Sequence, residues 1–109
     1  MITASFELNE ARILGFTCRG HSGLALEGQD IVCAAVSSAV RMAECAINDV
    51  MGLGAKVKAE ETEALVSLRL PDRLDPGADD LCQTVLTALM ISLARIHEEY
   101  PENIAVLEV

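Results

Sequence analysis

The sequence predicts an α+β domain, a mostly antiparallel sheet carrying two helices in the order β-β-α-β-β-α-β. Three observations lead there. Several short segments alternate apolar and polar residues with a period of two, beginning with residues 2–8. Two longer runs, within residues 31–51 and from Asp79 or Asp80 to His97, repeat their apolar residues at helical spacing. Glycines, prolines and acidic residues separate the blocks. A chain of 109 residues is expected to form one domain, 1–109, with a core of its own.

In the first strand Ile2, Ala4, Phe6 and Leu8 point one way and Thr3, Ser5 and Glu7 the other. Asn9 to Arg12 is a short polar connection, and Ile13–Arg19 is the hairpin partner, with Leu14, Phe16 and Cys18 on one face. Residues 20–29 read as a loop, punctuated by Gly20, Gly23 and Gly28. The loop is either a lid over a site or an ordinary strand-to-helix crossover.

The first helix is expected over Ile31–Met51, with Asp30 as its N-cap and Gly52 and Gly54 ending it. Ala55–Glu61 and Leu65–Leu70 form a second hairpin around Thr62-Glu63, and the lysines and glutamates of its first strand suit a sheet edge. Pro71–Gly77 is turn-rich. The second helix starts near Asp79 or Asp80 and carries Leu81, Val85, Leu89, Ser92 or Leu93, and Ile96 on one face. Its last turn holds His97, where an imidazole favours the helix C-terminus. Ile104–Val109 is the final strand.

Composition narrows the function. Eight basic against seventeen acidic residues give a net charge of −9, so nucleic acid and anionic lipid should repel the chain. The most apolar stretch, 31–51, contains Ser37, Arg41, Glu44 and Asp49, too polar to span a membrane. No basic start followed by an apolar stretch marks a secretory leader, so a cytoplasmic location is expected. Cys18, Cys33, Cys45 and Cys82 form no CxxC pair and fit no zinc module; free thiols and no metal site are expected.

Residues 20–40 concentrate the chemistry. His21 lies between glycines where a strand ends, and Cys33 follows Asp30 by three positions, in the expected first turn of the helix. A thiol at a helix start meets unpaired N–H groups and the positive end of the macrodipole, which lower its pKa from about 8.5 toward roughly 3.5–7.5. An imidazole nearby can take the thiol proton and return it to a leaving group. Asp30 either caps the helix or holds the imidazole in one tautomer. Ser37, four residues after Cys33, shares its helix face. Without other evidence, Cys33 could equally be buried packing.

Two separated blocks, Gly20-His21-Ser22-Gly23 and Gly28-Gln29-Asp30-Ile31-Val32-Cys33-Ala34-Ala35-Val36-Ser37, resemble the signature of the ribosomal-processing cysteine proteases called Prp. The order of elements matches over nearly the full length, including Glu98-Glu99-Tyr100 near the end of the second helix. One departure is Ser22, where the family usually has Ala.

The resemblance implies a bacterial endopeptidase that removes a short, basic N-terminal extension from the twenty-seventh protein of the large ribosomal subunit, after a pair of phenylalanines. It implies Cys33 as nucleophile, His21 as base and Asp30 as the family's aspartate. Gly20, Ser22, Gly23, Gly28 and Ser37 would line the substrate site. It further implies a homodimer and no cofactor. Two rival readings are a non-enzymatic ribosome-associated binding module and a thiol-based redox or acyl-carrying protein.

Overall fold

The computed structural model describes residues 1–21, 26–62 and 64–109, and for residues 26–30 the backbone only. Its elements are β1 (Ile2–Asn9), β2 (Arg12–Arg19), α1 (Leu26–Glu44), β3 (Lys56–Glu60), β4 (Leu65–Arg69), α2 (Pro76–Glu99) and β5 (Ile104–Glu108). Helix α1 continues without a break as a π-helical segment, Cys45–Val50. The expected β-β-α-β-β-α-β order holds. The five strands lie in the order β3-β4-β2-β1-β5, and every pairing is antiparallel except β1 with β5.

Cross-strand register puts Ile2, Ala4 and Phe6, then Phe16 and Cys18, then Leu68 on one face of the sheet. Phe6 and Phe16 stand opposite each other with ring centroids 5.8 Å apart. Over this face lie the stripes Val32, Val36, Val40, Ala43 and Ile47 of the first helix and Cys82, Leu86, Leu89 and Leu93 of the second, all buried. The stretch Ile31–Val50 is, by length and composition alone, long and apolar enough to cross a membrane; here its apolar stripe is spent on the core.

Several boundaries differ from the sequence expectation. Leu14 does not face the core with Phe16 and Cys18; Ile13 does. The ladder slips between Glu7 and Leu8, so Leu14 is the extra residue of a bulge and its neighbour turns inward. Gly15 next to it lies so close to the Leu68 carbonyl of β4 that no side chain fits there.

Helix α2 begins at Pro76, not at Asp79 or Asp80. Asp75 has the extended backbone of an N-cap, and a proline in the first turn lacks only an N–H that would have had no partner. On this helix Cys82 and Leu86 face inward and Leu81, expected on the buried face, is exposed.

Helix α1 begins at Leu26, five residues earlier than expected. Leu, Glu and Gln favour helix, and a single Gly28 costs only about 1 kcal/mol against Ala, so it slows but does not stop the helix. Asp30 is therefore inside the helix and is not its N-cap, Gly28 is helical rather than in a loop, and Cys33 is two turns in from the start. Of the stretch 20–29 expected as a loop, either lid or crossover, residues 26–29 are helical and 22–25 lie outside the described residues.

Candidate active site

The glycine–histidine block and the cysteine block belong to different elements, and the fold brings them to one end of the sheet. Strand β1 starts there, β2 ends there, and β4 starts beside β2 with Arg19 paired to Leu65. Helix α1 leaves from the same end, since it follows β2 after a short connection. A cavity of about 280 Å³ opens between these pieces, lined by His21, Cys33 and Ser37 together with Gly20, Ala64 and an apolar wall of Ile2, Val36, Leu65 and Val66.

Each side chain is placed by its neighbours. Val32 and Val36 are buried against the sheet. Cys33, about 100° further round the helix, is half-buried at the margin of the core. Ser37 follows one turn later, on the same cavity and exposed. Gly20 has φ +99°, a backbone that L side chains rarely adopt, and a Cβ on it would run into the Met1 carbonyl oxygen. Its N–H donates to the Ala64 carbonyl at 3.0 Å. His21 follows immediately and is exposed.

The sequence-predicted site residues thus divide. His21, Cys33, Gly20 and Ser37 meet at one cavity. Ser22 and Gly23 lie outside the described residues, and Gly28 and Asp30 are on the first turns of α1, upstream of Cys33. With the helix starting at Leu26, the macrodipole argument for Cys33 loses its footing, because that effect fades within the first turn. The backbone N–H groups beside Cys33 belong to the interior of α1, where intrahelical bonds occupy them, so they are not free to stabilise an oxyanion.

Sequence reading missed the cavity's other walls: Ile2, Ala64, Leu65 and Val66. The only signal that could have found them is strand order. Once β2 is known to lie between β1 and β4, the residues flanking its end at Gly20 are Met1-Ile2 and Ala64-Leu65.

Two of the other thiols are packing. Cys18 also borders the cavity, but it is a buried β2 residue, and burial pushes its thiol up to about 12. Cys82 is fully buried in α2, and burial first, then the nearby Asp79 carboxylate, raise its thiol as well. Cys45 is exposed on the π-helical segment.

His97 is committed elsewhere. Its Nδ1 lies 2.6 Å from the Ile104 carbonyl, which can only accept, so Nδ1 carries the proton and ties the end of α2 to the start of β5. A second groove of similar volume, between the helices, is lined by Ala39, Met42, Ala46, Val85, Ala88 and Ser92. Apart from the hydroxyl of Ser92, the side chains lining it offer only hydrocarbon and thioether.

Comparison with known proteins agrees with this geometry. The family model described as cysteine protease Prp matches residues 1–105. The ribosomal processing cysteine protease Prp of Bacillus subtilis (strain 168) is 32% identical over 94 residues, covering 86% of this chain and 84% of that protein. The ribosomal processing protease Prp from S. aureus, with a covalently linked product peptide, superposes with a TM-score of 0.81 at 27% identity over 100% of both chains. The same S. aureus protease with a substrate peptide gives 0.79 at 26% identity, again over 100% of both. The chain, with a histidine and a half-buried thiol on one cavity in this frame, belongs to the cysteine protease Prp family and is a cysteine peptidase.

Proposed function

We propose that the chain is a cytoplasmic endopeptidase that removes a short N-terminal extension from a large-subunit ribosomal protein, the twenty-seventh, with Cys33 as nucleophile and His21 as base. One observation carries the chemistry: His21 and Cys33 reach the same cavity from different elements. The names of its relatives, ribosomal processing proteases, support the substrate class.

His21 takes the Cys33 proton, and the thiolate sulfur attacks the scissile carbonyl carbon. The tetrahedral intermediate collapses as His21 protonates the leaving amine, giving a thioester on Cys33. His21 then deprotonates a water, which attacks the thioester and releases the acid and the free thiol. Asp30, no longer available as N-cap, keeps the role of orienting the imidazole as part of this proposal. Ser37 and the apolar wall of Ile2, Val36, Leu65 and Val66 would receive the substrate, and hydrocarbon of this kind suits a phenylalanine ring. The net charge of −9 suits a basic extension.

The decisive experiment mixes the protein with a peptide spanning the Phe-Phe junction of the extended ribosomal protein and follows products by mass spectrometry. Wild type should make a single cut, and Cys33→Ala none. Binding without a cut by wild type would replace this reading by a non-enzymatic binding module.

We also propose a homodimer joined through the helix layer. There Met42 is 67% and Ile91 48% exposed, and between Asp80 and Arg95 the outward residues of α2 carry no charge. Elsewhere two copies of charge −9 repel. Sedimentation of wild type should give a dimer and Met42→Glu a monomer; a monomeric wild type at micromolar concentration ends this reading.

A further inference from the structure

We infer that Ala64 is a positioning residue for His21, acting through Gly20. The β2–β4 ladder ends at the pair Arg19–Leu65, and one step beyond it the Gly20 N–H donates to the Ala64 carbonyl at 3.0 Å. That carbonyl points at Gly20 because Ala64 has φ +48°, the left-handed region that residues with a Cβ seldom occupy. The Ala64 N–H in turn donates to the Glu61 carbonyl at 3.1 Å and closes the turn. One other non-glycine residue among those described shares this backbone, Glu10, and it sits at the tip of the β1–β2 hairpin, away from the cavity.

Gly20 is therefore held from two sides, by the Ala64 carbonyl on its N–H and by the Met1 carbonyl where a side chain would stand. His21 is the next residue. If Ala64 relaxed to an extended backbone, its carbonyl would swing away, and His21 would lose the frame that holds it at the cavity it shares with Cys33. The Ala64 turn lies beyond the sheet's buried residues, so this change loosens the site without dissolving the core. A misplacement of about 1 Å at a reacting group can cost 10²-fold in rate.

The inference rests on His21 being the base, and the experiment separates the two. Ala64→Val, Ala64→Asn, Ala64→Gly and His21→Ala are compared with wild type by thermal melting, by kcat and KM on the Phe-Phe junction peptide, and by the rate at which iodoacetamide alkylates Cys33 at pH 7, read by peptide mapping. Valine resists the left-handed backbone, whereas asparagine and glycine accept it. Asparagine has one more side-chain heavy atom than valine, so mere filling of the cavity would harm it at least as much.

Ala64→Val should lower kcat by about tenfold or more with KM within about twofold, and slow alkylation toward the His21→Ala rate. Ala64→Asn and Ala64→Gly should stay within about twofold of wild type. Equal losses in the Val and Asn variants, or a Val variant with wild-type kcat and alkylation, would overturn the inference. If His21→Ala alkylates and turns over like wild type, the base assignment itself fails. Should wild type leave the peptide uncut, the alkylation rates of the Val and Asn variants decide alone.

Discussion

The two ends of the sheet are built on opposite principles. At the end where β1, β5 and β4 begin, the chain turns on Gly20 and on a left-handed Ala64, and the cavity holding His21 and Cys33 lies open. At the far end, side chains close the structure with paired bonds to backbone. Gln83 of α2 donates to and accepts from Ile13 at 2.9 and 2.7 Å, satisfying both backbone groups beside the bulge. Asn48 does the same for Ala55 at 3.0 and 2.7 Å, in the π-helical segment that leads into β3. Arg12 forks onto Asp79 at 2.9–3.1 Å, joining β2 to the first turn of α2. The lesson is a division of labour: the paired side-chain bonds to backbone gather away from the cavity, and backbone-to-backbone contacts at Gly20 and Ala64 frame it.

Substitutions at the two ends should separate activity from stability. The largest effect belongs to the open end. Cys33→Ala or His21→Ala should reduce peptide cleavage by about 10³-fold or more, while thermal melting stays within a few degrees of wild type. Retained turnover by Cys33→Ala would remove the nucleophile. Asp30→Asn should also lose turnover with the fold intact if it orients the imidazole; unchanged turnover would leave it no catalytic part.

Next comes Gly15→Ala. Its Cβ would meet the Leu68 carbonyl and the Arg69 Cα, so β2 and β4 must part, at a cost of roughly 3 kcal/mol in urea unfolding. Gln83→Ala and Asn48→Ala should each cost about 2 kcal/mol, since each leaves a backbone donor and acceptor without a partner in a half-buried place. Both should keep wild-type kcat at a temperature where they remain folded. A catalytic defect in either, with the fold intact, would break the division between the two ends.

The smallest effect is Asp79→Asn. Hydrogen bonds from the Arg12 guanidinium hold the Asp79 carboxyl below its usual value, against the opposing effect of burial. Its folded pKa is lower than its unfolded one, so the pair stabilises the protein above the usual carboxylate pKa near 3.9. That contribution is lost as pH falls through the folded value. Because the pair is partly exposed, the loss at pH 7 should stay within about 1 kcal/mol. The difference between wild type and Asp79→Asn should shrink below about pH 4, and a difference that grows there would contradict the assignment.

The element order and the edge position of β3 were legible in the sequence, because alternation and helical period are local signals that the core must obey. That His21 and Cys33 come to one cavity was foreshadowed too, by two blocks of specific residue types at specific spacing. The start of α1 was not. Gly28 and Asp30 look like a stop and a cap, yet Leu26, Glu27 and Gln29 carry the helix past them, and only the folded backbone shows which tendency wins. The same holds at α2, where Pro76 reads as a turn residue and serves as a helix start. The stripe read from Leu81 was also off by one position there: Cys82 and Leu86 are buried and Leu81 is exposed.

By itself the sequence determined the α+β class, the hairpins and the helix layer, since each follows from residue type and local spacing, and its two motif blocks singled out His21 and Cys33 as candidates. Tertiary structure alone decided what surrounds them. Strand order set Met1 and Ala64 on either side of Gly20, and the bulge at Leu14 chose which residues of β2 face the core. Those contacts join residues far apart in the chain, and a local pattern carries no record of which distant backbone will arrive beside it.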